Sequence, residues 1–189
     1  MLNEAQAGQR QVYFVDAAHF VYGAFLAMVW CFHRIFLKTP AGRQRLNVLG
    51  ALNAVNRQFV SIINQSYVTA KTTCELLDKL RALHADEPIT LVMDNARYQH
   101  CKLVVGHAAA LGIDLLFLPG YSPNLNLIER LWKFIKKDCL NGRYYPTHQA
   151  FQAAILDSID GINSRHQPAL KTLLTLNFQM FDEVQTLGA

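Results

Sequence analysis

Two short apolar runs, each closing on an aspartate, constrain this chain more than any other feature. Val12-Tyr13-Phe14-Val15 leads into Asp16, and Ile89-Thr90-Leu91-Val92-Met93 leads into Asp94. Both runs are dominated by β-branched, aromatic and long apolar side chains, as strands in the middle of a sheet require. A carboxylate at the end of such a strand either caps a turn or serves a site, and Asp94-Asn95 is good turn chemistry. In open α/β sheets, sites form at the carboxyl ends of strands, so neighbouring strands would bring Asp16 and Asp94 together.

The rest of the chain supplies the partners of those strands. Residues 1–10 are polar and read as a frayed, flexible lead. Phe20 to Phe36 reads as one or two extended segments bent at Gly23, and Thr39-Pro40-Ala41-Gly42 as a turn. Arg45 to Val55 and Gln58 to Tyr67 form a strand pair joined through Asn56-Arg57. Thr72-Thr73-Cys74-Glu75 fits a capping box, opening a helix with Leu76, Leu77, Leu80 and Leu83 on one face. Cys101 to Leu111 is a helix closed by Gly112, and Ile113 to Leu118 is another buried strand. A helix follows to about Leu140, stopped by Asn141-Gly142; Thr147 caps another, from His148 to about Ser164. Pro168 to Phe181 makes a short helical tail. Early strands, then alternating helices and strands, then terminal helices predict an α/β fold, a mixed sheet with helices on both faces.

A chain of 189 residues with 51% hydrophobic and 17% charged content can bury a sizeable core and is not disordered. The net charge of +4 is modest, but its distribution is not even. Between Asp16 and Glu75 no acidic residue occurs, while Arg34, Lys38, Arg43, Arg45, Arg57 and Lys71 do. Such a stretch is either a phosphate footprint or a solvated basic face. Cys31, Cys74, Cys101 and Cys139 have no metal-site or disulfide spacing, and free thiols are expected. The apolar run Phe20 to Phe32 falls short of the roughly 18 residues of a spanning helix, so a soluble, cytoplasmic protein is expected.

The third acid of interest is Glu129, in the first turns of the helix after Pro119-Gly120-Tyr121-Ser122-Pro123-Asn124-Leu125-Asn126-Leu127. At about 100° per residue, Ile128, Leu131, Trp132, Ile135 and Cys139 share one apolar stripe, with Glu129, Lys133 and Lys136 at its edge. Glu129 and Lys133 also have the spacing of an ordinary surface pair. Three converging carboxylates repel unless a cation compensates, and hard oxygen ligands suit Mg²⁺ or Mn²⁺.

Four segments, in order, resemble one family. They are Phe14-Val15-Asp16-Ala17-Ala18-His19-Phe20, Asn47-Val48-Leu49-Gly50-Ala51-Leu52, Val92-Met93-Asp94-Asn95-Ala96-Arg97-Tyr98-Gln99-His100, and Leu118 through Trp132. Together they look like the DDE catalytic domain of mariner-like bacterial insertion-sequence transposases, which implies a ribonuclease-H-like, retroviral-integrase-like fold, a mixed five-stranded sheet with helices on both faces. The resemblance covers about residues 11–165, leaving 166–189 as the tail, and 34 residues lie between Asp94 and Glu129. It implies that Asp16, Asp94 and Glu129 are catalytic and bind two divalent ions. It also implies that the enzyme hydrolyses a DNA strand at an element end and joins the freed 3′-hydroxyl to target DNA. Two departures stand out: Ala17 where the family commonly has an acid, and Leu127 where it often has proline. Neither removes a member of the triad.

Around the triad, Arg43, Arg45, Arg130, Lys133, Lys136 and Lys137 are candidates for holding DNA phosphates. Asn95 and Asn126 are candidates for orienting metal-bound waters or the triad, with helix capping the alternative for Asn126. His19 and His100 either touch DNA or a leaving group, or are satisfied structural histidines; Trp132 is read as core rather than a base-stacking platform. About ten residues precede the first strand, so a catalytic half is expected. It would be completed by a separate helix-turn-helix chain or by a frameshift fusion, and would work as a homodimer. The competing readings are a non-catalytic DNA-binding or regulatory fragment, and a structure-directed nuclease of the same fold.

Overall fold

The first apolar run does not stop at Asp16. In the computed structural model, which describes residues 1–23, 32–33, 44–120 and 123–178, it continues as β1, Gln11–Val21. Strand β1 runs antiparallel to β2 (Arg45–Asn53), from Tyr13↔Asn53 to Val21↔Arg45. It runs parallel to β4 (Ile89–Met93) only from Gln11↔Ile89 to Val15↔Met93. Strand β3 (Phe59–Asn64) pairs antiparallel with β2, and β5 (Ile113–Phe117) parallel with β4. The five-stranded sheet has the order β3-β2-β1-β4-β5, with β1 at its centre.

Alternation along the strands sends successive side chains to opposite faces, and each face has its own helical cover. Tyr13, Val15, Leu49 and Met93 face α2 (Ala70–Leu83) and α3 (Lys102–Ala110), packing with Leu76, Leu77, Leu80 and Val104. Phe14, Phe20, Val48 and Val92 face α4 (Ile128–Ile135), α5 (His148–Asp160) and α6 (Gln167–Leu173). Ile128, Leu131, Trp132 and Ile135 of α4 are all buried there, the apolar stripe expected from the helical period. After Ile135 the helix widens into a π-type turn, Lys136–Leu140, and ends before Gly142, which takes a left-handed φ of 70°.

Several local expectations are corrected by tertiary context. Residues 2–6 form a helix, α1, with Ala5 buried; Arg10 bonds to Thr90 and pairs with Asp114 on β5. The capping box of α2 is one turn earlier than expected, with Thr69 as the cap and Thr72 as its reciprocal partner. Leu83 is 51% exposed, outside the α2 core stripe. Strand β5 is an edge strand that buries Ile113 and exposes Asp114 and Leu116, so it is only half covered. Helix α5 ends at Asp160 and α6 at Leu173. Gly23 is a turn with φ 92°, directly after β1. The expected extended segments beyond it, the turn at 39–42, Arg43 and the end of the tail lie outside the described residues.

Candidate active site

The register between β1 and β4 decides where the aspartates go. Val15 is paired with Met93, so Asp16 and Asp94 are each one residue past the same pair, on adjacent parallel strands. The strand of Asp16 continues beyond it, so Asp16 sits within β1 rather than at its end. Parallel pairing stops there instead, and leaves the notch that a site at the carboxyl end of β4 needs.

Asp16 belongs to the sheet face covered by α4. The Trp132 indole N–H donates to its Oδ2 at 2.9 Å. Trp132 is buried core, as expected, with edge-on contacts to Phe20 and Phe59. Its reach to Asp16 depends on Gly50, the residue opposite Asp16 on β2. A Cβ on Gly50 would lie 2.6 Å from the Phe59 ring and 2.8 Å from that of Trp132. Burial pushes the Asp16 carboxyl up to about 7, although the Ala17 backbone N–H and the Trp132 N–H favour the ionised form. The negative charges of Glu129 and then Asp94 push it further in the same direction. All three acids therefore act within one electrostatic neighbourhood.

Asp94 is held differently. Its Oδ1 accepts from the Ala96 backbone N–H at 3.3 Å, an Asx-type turn. Gln99, fully buried, turns its amide nitrogen to the same Oδ1 at 2.5 Å and to the Asp94 carbonyl at 3.1 Å. Tyr98 is close by: burial, then the charges of Asp94 and Asp16, push its hydroxyl up to about 12. Glu129 is half-buried in the first turn of α4, its backbone N–H bonded to the Asn126 carbonyl at 3.2 Å. The Asn126 side chain does not cap the helix; it donates to the Val15 carbonyl at 3.2 Å and so ties the start of α4 to β1.

The surrounding candidates separate into two groups. Lys133, Lys136 and Lys137 are exposed, with no ion pair among the described residues. The π-type turn alters the angular placement of Lys136 and Lys137 from that of a continuous α-helix. Arg130, by contrast, donates to the carbonyls of Thr175 (2.8 Å) and Asn177 (2.7 Å), anchoring the C-terminal segment. Arg45 lies over the Tyr67 ring at the far end of β2, opposite Val21. Asn95 is exposed, His100 packs on Phe117 at 4.4 Å between centroids, and His19 bonds to Asn47 at 2.6 Å. Sequence reasoning missed Gln99 and the polar role of Trp132. The available signal was a glutamine within the Asp94 segment and an indole N–H, which needs a partner when buried.

A cation is what this donor set suits. It offers only hard oxygens and carries excess negative charge around a largely buried carboxyl, and at the start of α4 the Asn126 Oδ1 is buried with no partner among the described residues. As the side chains lie, no three His, Cys, Asp or Glu among the described residues are drawn into one coordinating cluster. Cys74, Cys101 and Cys139 are free thiols.

A family model for the DDE superfamily endonucleases matches residues 11–152. The chain belongs to that family. Solved structures agree on the fold of this DDE-family chain. The pre-cleavage Mos1 transpososome is similar with TM-score 0.57 and 12% identity, over 96% of this chain and 60% of that one. The Mos1 transposase catalytic domain with raltegravir and Mg gives 0.55 and 10%, over 96% and 90%. The simian T-cell lymphotropic virus intasome with PP2A regulatory subunit B56 gamma gives 0.52 and 17%, over 76% and 46%. This chain thus spans about half the length of some of these neighbours, and at such identities the likeness is one of fold, the mixed ribonuclease-H-like sheet. No curated protein matches the sequence. No helix among the described residues is long and apolar enough to cross a membrane.

Proposed function

We propose that this chain is the catalytic domain of a metal-dependent transposase of insertion-sequence type, which cuts DNA at an element end and joins the 3′-hydroxyl to target DNA. The observation that carries the reading is the Val15↔Met93 register, which makes Asp16 and Asp94 neighbours, with the charge of Glu129 acting on the same carboxyl. Asp16, Asp94 and Glu129 would hold Mg²⁺ or Mn²⁺, two ions on this reading; structures of the similar Mos1 catalytic domain are described with Mg and with Mn. Such cations supply charge stabilisation at the oxygens of the transferring phosphoryl group.

The chain's own residues do the rest. Asp16 must lose its proton to act as a ligand, and the Trp132 N–H favours that ionised form. Gln99 and the Ala96 N–H fix one oxygen of Asp94. In cleavage, a water oxygen attacks phosphorus, the bond to O3′ breaks, and the strand leaves as a 3′-hydroxyl. In joining, that hydroxyl oxygen attacks a target phosphorus and displaces the target's own O3′, so no bond to the enzyme forms. The exposed Lys133, Lys136 and Lys137 offer a positive track for the backbone, and binding through it weakens steeply with salt. Two element ends handled together call for a homodimer.

The test is cleavage of labelled element-end DNA with Mn²⁺ by wild type and Glu129→Gln, with target DNA added in a second series. Nicking by wild type alone, followed by a joined product, is expected. Equal nicking by both proteins would sink the triad, and nicking without joining would point to the nuclease reading.

A further inference from the structure

We infer that Gln99 is a positioning residue of this site, a buried amide whose nitrogen fixes one oxygen of Asp94 and leaves the other to face a cation. The inference rests on the metal-site reading above. Gln99 is inaccessible to solvent, so its donor and acceptor must both be satisfied within the fold. With the amide oxygen toward Asp94, two acceptors would meet at 2.5 Å; the nitrogen must therefore stand there, where it reaches both Oδ1 and the backbone carbonyl of Asp94. The amide oxygen then faces the Tyr98 hydroxyl at 3.4 Å, and that hydroxyl donates to it.

The order of roles along Tyr98, Gln99 and Asp94 is thus fixed from one end. A hydroxyl donates to the amide oxygen, and the amide nitrogen donates to the carboxylate. The Ala96 N–H reaches the same Oδ1, so both donors crowd one oxygen. Among the described residues no hydrogen bond engages Oδ2. A carboxylate pinned through one oxygen presents the other in a set direction, as outer groups around metal ligands commonly do. Asp94 needs this more than a strand residue would, because it leaves β4 into the loop 94–101, where Asn95 and Arg97 are exposed.

The experiment is Mn²⁺ titration of the metal-free protein by calorimetry, on wild type, Gln99→Met, Gln99→Glu, Tyr98→Phe and Asp94→Ala, with thermal melts to confirm folding. Gln99→Met keeps the length of the side chain and removes the donor; its Mn²⁺ midpoint is expected to rise about tenfold. Gln99→Glu, which sets an acceptor against Asp94, should rise further, and Tyr98→Phe should rise less than Gln99→Met. A folded Gln99→Met with the wild-type midpoint overturns the inference; should that variant not fold, a wild-type midpoint in Tyr98→Phe does so. Wild type that binds no Mn²⁺ differently from Asp94→Ala overturns the metal reading itself, which separates the two failures. A residue that only packs would lower the melting temperature and leave the midpoint in place.

Discussion

Asp16 and Asp94 stand one residue past the same register pair, yet two different kinds of structure hold them. Asp16 is carried by a backbone that stays in the ladder: it pairs with Gly50, and the pairing with β2 runs on to Val21. The indole N–H of Trp132, its side-chain donor among the described residues, arrives from a helix on the covered face. Asp94 leaves its strand at once, and its orientation depends on a turn N–H and a buried amide from its own loop. A carboxylate on a strand is aimed mainly by its main chain; a carboxylate on a loop must be aimed by its neighbours. The difference also divides the costs: Asp16 gives up solvation, whereas Asp94 depends on order in the loop.

The largest expected effect lies in that lost solvation. The Asp16 carboxyl is pushed up to about 7, above its value in an unfolded chain. Between about pH 4 and pH 7 the folded protein therefore holds more protons than the unfolded one, and stability falls as pH rises through that window. At roughly 1.4 kcal/mol per pK unit, the loss for metal-free protein approaches about 4 kcal/mol, an upper figure because the group is only partly shielded from solvent. Urea unfolding in a chelating buffer at about pH 4 and pH 8 measures it; starting from pH 5 would capture about two-thirds of the effect. Asp16→Asn should lose most of the slope, and a slope that survives unchanged would mean that the strand-held acid is not the strained one.

A smaller effect is expected at Gly50, which exists only on the Asp16 side of the comparison. Adding a methyl there drives a Cβ into the rings of Phe59 and Trp132, at 2.6 and 2.8 Å. Gly50→Ala should cost about 1–3 kcal/mol by overpacking, read from urea unfolding, with a shift in tryptophan emission as the indole moves. Wild-type stability in Gly50→Ala would show that the cleft beside Asp16 has slack that the packing denies.

How much of this was legible in the sequence follows the same division. The neighbouring aspartates were readable because two short runs, apolar but for Thr90, are best buried inside a sheet, and the two-faced cover follows from strand alternation. The length of β1 was not readable, since Ala17-Ala18-His19 carries little strand preference and is held extended by pairing with Val48 and its neighbours on β2. Thr69 and Thr72 offer the same capping chemistry, so the sequence leaves the start of α2 open by one turn; in the fold Thr69 is the cap and Thr72 its reciprocal partner. Glu129 gained its meaning from the family resemblance and spacing, since a glutamate four residues before a lysine is ordinary on any helix. Arg130 could not be told from its lysine neighbours, because its partners Thr175 and Asn177 lie 45 and 47 residues downstream. Gln99 and Trp132 show the same limit: a donor is recognised by what it faces, and facing is a tertiary property.

The smallest effect is also the one that sharpens the comparison most. Trp132→Phe keeps an aromatic ring against Phe20 and Phe59 and removes the N–H that reaches Asp16. If the main chain aims Asp16, losing this donor should raise the Mn²⁺ midpoint by less than about threefold, the equivalent of part of one hydrogen bond. That contrasts with about tenfold for Gln99→Met on the loop-held acid. Equal shifts in the two variants would mean that both acids are aimed by side-chain donors. In that case the longer pairing of β1 would serve the fold alone.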